Sequence, residues 1–359
     1  MHAMKSLHII GSKEMGGAER WFARFLAAMQ RHGAPVAAVV RRGSDLARRH
    51  LDGLPVDQLP LRTVWDPLSR YEVAQLIARS DAPIVQTYMG RATRLTHLAP
   101  GRGKVHVSRL GGYYRLPPFA HAHAWVGNTR GLCDWMIRGG LPADRVFHIT
   151  NFADPARPAT ATELDALRRQ IALRADDCLL LTAGRLIDVK GQRYLVDAFA
   201  RLPQEIGGRR LRLAVLGDGP LREQLEQQAR QLGVADRILW AGWQHDPAPW
   251  FHLADMVVFP SRDAETLGNV ILEAWAYGKP LVATAFRGAR EIARHQDDAW
   301  VVPCDDAAAL AAGIEQLLRD PALQTRMVER GLARIRQDFS EAGVVAQYRA
   351  LYAQLADRR

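Results

Sequence analysis

The sequence predicts an α/β protein built as two successive doubly wound domains. Three observations lead there. Short apolar runs of strand type alternate with stretches of helical periodicity along the whole chain. That rhythm stops once, in a segment rich in Pro, Ala and Thr at residues 151–162, and then restarts. The 359 residues also amount to two domains at roughly 100–200 residues each. Strands separated by helices imply parallel sheets covered on both faces. With 48% hydrophobic and 24% charged residues, the chain can bury a large core and is not a disordered tail.

The first strand is expected at residues 7–10, ending in a loop at 11–17. Residues 18–29 follow as a helix, because Trp21, Phe22, Phe25, Leu26 and Met29 recur at helical spacing. Residues 36–40, 83–88, 105–107 and 124–126 are further strands. After the linker, strands are expected at 179–181, 211–216, 256–259 and 281–283, with helices at 194–202, 221–232 and 270–276. Helical residues 322–355 close the chain with no strand after them, and are expected to pack across the domain junction. Ligands in such sheets sit at the carboxyl ends of the strands, so the expected place for chemistry is a cleft between the domains.

The formal charge is +10, and it is unevenly placed. Residues 1–150 hold 21 basic and 10 acidic side chains, whereas residues 151–359 hold 27 and 28. The basic half calls for an acidic partner, such as a membrane surface or a phosphorylated substrate, or for an Arg-rich solvated surface. A nucleic acid would need a helix-turn-helix, zinc or stacking-aromatic motif, and none is present, so no nucleic-acid partner is expected. Cys133, Cys178 and Cys304 are too few and too scattered for a disulfide framework or a zinc site. Residues 1–12 turn polar too quickly for a signal peptide, and no apolar run approaches the 18–20 residues that cross a bilayer. A cytoplasmic setting is expected, with any membrane role peripheral. Trp21, Phe22 and Phe25 are amphipathic positions that could insert if exposed, against core packing as the alternative.

Chemistry concentrates after the strands of the second half. Residues 265–273 read Glu-Thr-Leu-Gly-Asn-Val-Ile-Leu-Glu and continue through Gly278-Lys279-Pro280. Gly268 lets backbone amides approach a ligand, and a helix starting there directs its positive end outward, which suits a phosphate. Glu265 and Glu273 then lie at different depths of one pocket, where a carboxylate can hold a ribose through two hydroxyls. A capped surface helix with solvated acids is the alternative. Arg185 and Lys190, in Gly184-Arg-Leu-Ile-Asp-Val-Lys-Gly191, can converge on one diphosphate as a planar fork and a point charge. Gly217-Asp218-Gly219-Pro220 reads by itself as a tight turn.

Taken in this order, these motifs resemble the retaining glycosyltransferases of family 4, which have the GT-B fold of two Rossmann-like domains. The resemblance rests on Gly16-Gly17-Ala18-Glu19, on Gly184-Arg185 with Lys190-Gly191, on Gly217 to Pro220, on Gly242-Trp243 and on residues 265–280. It is dense in the C-terminal half and thinner in the N-terminal half. It implies a basic acceptor-binding domain at 1–155, a nucleotide-sugar domain at 156–335, and a C-terminal helix at 336–359 returning toward the first domain. It implies Arg185 and Lys190 stabilising the departing diphosphate, helped by the amides around Gly268, Asn269 and Val270. Glu265 touches the transferred sugar, Glu273 holds the ribose, Trp243 borders the base, and Gly16, Gly17 and Gly217 leave room for the donor. The donor is a nucleotide sugar, with a UDP-hexose favoured, and the acceptor is a saccharide or lipid-linked glycan of the cell envelope, such as lipopolysaccharide core. An anionic membrane surface is a further expected partner. No cofactor and no metal is expected, because no Asp-x-Asp motif is present.

One departure stands out. Where many members carry a His after the fourth strand, this chain has Tyr88, read either as a sugar contact or as a packed strand-end aromatic. Arg109 and Tyr113, in the Gly-rich run 109–115, are expected at the acceptor. His97, His106, His121 and His123 are expected mostly at the surface, and Asn128 and Asn151 as local turn caps. A sugar-nucleotide epimerase or a phosphorylase-like enzyme on the same fold is the alternative.

Overall fold

The alternating apolar runs become two parallel sheets in a computed structural model that describes residues 4–49, 51, 53–99, 101 and 103–357. The chain divides into two compact units, Met1–Asn151 with Glu341–Arg359, and Phe152–Ser340.

The first unit holds β1 (Ser6–Ile10), β2 (Val36–Arg41), β3 (Val56–Leu59), β4 (Ile84–Tyr88), β5 (Val105–Leu110), β6 (Ala124–Gly127) and β7 (Val146–His148). Their order is β3-β2-β1-β4-β5-β6-β7, parallel throughout. The second holds β8 (Asp177–Ala183), β9 (Glu205–Ile206), β10 (Arg209–Leu216), β11 (Ile238–Gly242), β12 (Met256–Phe259), β13 (Leu281–Thr284) and β14 (Trp300–Val302). The order there is β11-β10-β8-β12-β13-β14, with β9 antiparallel on β10. Each unit is therefore doubly wound, with a switch point between its first and fourth long strands, at β1/β4 and at β8/β12. Strands β1, β4 and β12 are buried at every position; β12 reads as a continuous apolar run, while β1 and β4 also bury His8, Gln86 and Thr87. Strands β3, β7, β9, β11 and β14 are not among the strands expected from sequence; β3, β7, β9 and β14 have only two to four residues, and β11 is half-buried over four of its five.

The helix Gly17–Arg31 buries Trp21, Phe22, Phe25 and Met29. These aromatics are core side chains, so their insertion into a membrane is excluded. The linker also ends sooner than expected. Residues 151–160 form no helix or strand, but a helix begins at Ala161, capped by Thr160 and Glu163 in reciprocal hydrogen bonds. The Thr-x-x-Glu capping box was in the sequence to be seen.

The C-terminal helices divide between the units. Helix Pro321–Gln337 packs on the second, where Arg334 pairs with the buried Asp298 at 2.6 Å. Helix Glu341–Asp357 packs on the first. Tyr348 meets Phe25 at 4.4 Å between ring centroids, and Tyr352 Oη donates to Gln86 Oε1 at 2.8 Å.

Candidate functional site

In the second unit the loops after β8, β10, β11 and β12 meet at the carboxyl ends of their strands, and backbone hydrogen bonds tie them together. Gly184 N donates to Leu216 O (2.9 Å), Gly217 N to Gly242 O (2.8 Å), Leu186 N to Asp218 O (2.9 Å), and Arg262 N to Val189 O (2.9 Å). Gly217 makes this possible. Its φ is +125°, and a Cβ there would lie 2.0 Å from Gly184 O. So Gly217-Asp218-Gly219-Pro220 is more than a plain turn, because it closes one loop on the next.

At the β8/β12 switch point Lys190 ends a short 3₁₀ turn, Asp188–Lys190. Its Nζ lies 2.7 Å from Glu265 Oε2 and 5.2 Å over the Phe259 ring. Ser261 Oγ donates to the same carboxylate oxygen at 3.4 Å. Both charged side chains are mostly shielded, 20% and 15% exposed. Partial burial raises the worth of the pair above that of a solvated one and leaves one edge open to a ligand. The sequence reading had Lys190 and Glu265 in separate motifs; the fold brings them into contact. Arg185 stands on the same loop, exposed and without an ion pair among the described residues.

Arg262 escaped the sequence reading. It pairs with Asp188 beside Lys190, and its Nε donates to Asp305 Oδ1 at 2.9 Å. The Asp305 hydrogen bond, then that of Asp188, pushes the guanidinium above its usual range. Asp305 is 43 residues away, so no local signal marked the partnership.

Helix Asn269–Ala276 begins at Gly268, which packs against Phe259, the ring that Lys190 also overlies. Gly268 is its N-cap at φ +76°, and a Cβ there would fall 2.6 Å from Phe286 and 2.7 Å from Phe259. Asn269 is half-buried and Val270 buried in the first turn, so the positive end of the helix emerges at their amides. Glu273 is half-buried one turn further on. Trp243, straight after β11, is 52% exposed. The ensemble offers a cation, an exposed cationic fork, a helix N-terminus, an exposed aromatic and two carboxylates, which is chemistry for a diphosphate carrying hydroxylated rings. Among the described residues no group of three or more metal-ligating side chains is assembled.

The first unit treats its predicted residues differently. Gly16 caps helix Gly17–Arg31 and faces Glu19, while a Cβ on Gly17 would meet nothing within 4 Å, so the chain leaves open space there. Tyr88 is 1% exposed; Gln86 Nε2 donates to its hydroxyl at 2.7 Å, and His8 Nδ1 lies 3.1 Å from it. Burial raises the Tyr88 phenol well above its ordinary range. The packed-aromatic alternative is therefore correct, and the sugar-contact expectation fails. Arg109 is 4% exposed, donating to Tyr348 Oη (3.2 Å) and Asn151 Oδ1 (2.5 Å) beneath Trp21. It anchors the C-terminal helix and leaves no surface for an acceptor, which corrects the expectation for Arg109. Tyr113 is half-buried, edge-on to Trp135 at 5.5 Å. The histidines are corrected too. His106 is fully buried, its Nε2 2.9 Å from Thr87 Oγ1, while His121 and His123 are half-buried on backbone carbonyls. Only His97 is exposed, stacked on His121 at 4.2 Å.

Comparisons with known proteins agree with this geometry. A family model described as glycosyl transferases group 1 matches residues 164–334. The chain is 32% identical to the lipopolysaccharide core biosynthesis glycosyltransferase LpsE of Rhizobium meliloti, over 98% of this chain and 99% of that one. It is 31% identical to LpsD of the same organism, described in the same words, over 97% and 98%. Among solved structures, Alr3699/HepE of Anabaena, in complex with UDP and glucose, superposes with a TM-score of 0.83 at 21% identity, covering 98% of this chain and 100% of that one. A sucrose-phosphate synthase of Thermosynechococcus elongatus superposes at 0.80 and 19%, over 99% and 100%. Both doubly wound units thus follow the architecture of known GT-B glycosyltransferases.

Proposed function

The chain belongs to the group 1 glycosyl transferases, and from that premise we propose that it transfers a hexose, with retention at the anomeric carbon, from a UDP-sugar to a saccharide of the lipopolysaccharide core or a similar lipid-linked glycan. The second unit holds the donor and the first meets the acceptor. The observation that carries the reading is the Lys190–Glu265 pair at the switch point of the second unit, beside the helix that starts at Asn269.

In the proposed reaction Arg185, Lys190 and the amides of Asn269 and Val270 face the diphosphate. As the bond between C1 and the phosphate oxygen breaks, negative charge grows there, and fixed donors aimed at it supply the main catalytic term. The acceptor oxygen attacks C1 from the face the diphosphate leaves, and its proton passes to the departing phosphate. Glu265 holds Lys190 in place and turns its remaining oxygen to the sugar hydroxyls, Glu273 takes the ribose, and Trp243 covers the base. The protein's own cations replace a metal, so chelator is expected to leave turnover unchanged. The acceptor is carried by the inner face of the cytoplasmic membrane.

The test pairs binding with turnover. A UDP-sugar at about 100 times its dissociation constant stabilises a protein by roughly 2.7 kcal/mol, a readily measured thermal shift. UDP-glucose and UDP-galactose are expected to give it, and GDP-, ADP- and dTDP-sugars not. Lys190→Ala and Glu265→Ala are expected to lower transfer by about 100-fold or more. Unchanged transfer in both removes the site assignment, and a β-linked product removes retention.

A further inference from the structure

We propose that the surface made by Trp65, helix Pro67–Arg79 and the adjoining end of helix Met89–Leu95 docks the protein on an anionic phospholipid bilayer. The proposal rests on the membrane-borne acceptor of the proposed reaction and names the part of the chain that would find it.

The aromatics of helix Gly17–Arg31 are buried, so a bilayer contact has to be sought elsewhere. Six large hydrophobic residues are exposed among the described ones, and three of them lie within seven positions: Trp65 at 75%, Leu68 at 49% and Tyr71 at 62%. Leu68 and Tyr71 are three apart in helix Pro67–Arg79 and share a face. The opposite side of that helix buries Ser69, Val73 and Ile77. It is thus a surface helix whose outward side carries large apolar groups, where solvated polar ones would be ordinary. Trp and Tyr favour the boundary between headgroups and acyl chains.

The surrounding charge is mainly basic. The Arg94 guanidinium lies over the Trp65 ring at 5.0 Å. Arg62 and Arg70 are exposed beside it, and the His97 imidazole is pushed below its ordinary range by partial burial first, then by His121, with a smaller push from Arg70. Two carboxylates stand among these arginines, so the excess is three cations to two acids. Asp66 caps the helix, accepting from Leu68 N at 3.2 Å and Ser69 Oγ at 2.6 Å. Glu72 is half-buried with its Oε2 out of solvent. Aromatic side chains for the interface, ringed by arginines for phosphate headgroups, match an anionic membrane; a purely polar partner would leave Trp65, Leu68 and Tyr71 unused. The match also gives a place to part of the basic excess of the first 150 residues.

The test sediments the full chain at low salt with vesicles of phosphatidylglycerol and phosphatidylethanolamine, and with vesicles of phosphatidylcholine alone. Binding to the anionic vesicles is expected to be at least tenfold tighter than to the neutral ones, and to weaken as salt rises. Trp65→Ser with Leu68→Ser and Tyr71→Ser, and separately Arg62→Glu with Arg70→Glu, are each expected to weaken it tenfold or more. Both variants keep the wild-type thermal shift with UDP-sugar, because that site lies in the other unit, and this shows that they are folded. Wild-type protein left in the supernatant, equal binding to neutral vesicles, or variants that sediment like wild type would each overturn the proposal. Vesicle binding without any UDP-sugar shift would sink the transferase reading and leave this one standing.

Discussion

Two glycines with opposite surroundings show how far a residue's role depends on what stands next to it. Gly217 and Gly17 are alike in sequence terms, each in a loop or helix start after a strand. A Cβ on Gly217 would lie 2.0 Å from a backbone oxygen that cannot turn away, at a φ of +125°, while a Cβ on Gly17 would meet nothing within 4 Å. Gly217→Ala is therefore expected to cost at least about 1–3 kcal/mol by overpacking, before backbone strain is added. Gly17→Ala should stay within about 0.5 kcal/mol. Urea unfolding of both variants measures the contrast; equal midpoints would deny that the loop after β10 closes on the loop after β8. The same dependence explains the residue-level misses. Tyr88 and Arg109 carry acceptor-type chemistry, yet one is held by Gln86 and the other by Tyr348 and Asn151. Their partners come from up to 239 positions away, and nothing local announces them.

At the scale of elements, the loop 184–191 is positioned by two kinds of link. Backbone hydrogen bonds join it to the turn after β10 and to residue 262, and Arg262 ties it through Asp188 to Asp305. Exposed ion pairs add about 0–1 kcal/mol each, so Arg262→Ala should barely change the unfolding temperature. Catalysis is more sensitive, since slight misplacement of a charged group near the reacting atoms is costly. Arg262→Ala is expected to lower kcat about tenfold with a smaller change in KM for the donor, and Arg262→Lys to recover part of the loss. Steady-state kinetics decides it; wild-type kcat in the alanine variant would make the clasp ornamental to the reaction.

For the molecule as a whole, buried histidines tie the stability of the first unit to pH. Burial pushes His8 down to about 3 and His106 well below its ordinary value. An unfolded histidine protonates near 6.5, so between that pH and the depressed native value the unfolded chain binds protons that the native one refuses. Stability must fall as pH drops below about 6.5, by up to about 1.4 kcal/mol per pH unit for each such histidine. Urea midpoints at pH 7.5, 6.5 and 5.5 measure this, with His8→Gln expected to flatten the decline. A flat wild-type profile over that window would refute it. The proposed membrane surface at Trp65, Leu68 and Tyr71 belongs to the same scale, because it would set the orientation in which the first unit meets the proposed acceptor.

What the sequence determined by itself was the architecture and membership of the glycosyl transferases. Apolar runs long enough to be buried on both faces, separated by helical periodicity, specify parallel doubly wound sheets, because burial of a strand is written into its own residues. The glycine, Arg185, Lys190, Glu265 and Glu273 motifs were legible for a related reason: each lies within one loop or one helix turn. Tertiary structure alone decided which motifs touch and which polar side chains remain available. It joined Lys190 to Glu265 across 75 residues, recruited Arg262 and Asp305, put Tyr88, Arg109 and His106 in the interior, and left Trp65 in solvent. A side chain's chemistry belongs to its residue, but its burial and its partner belong to whatever distant segments the sheet order sets beside it.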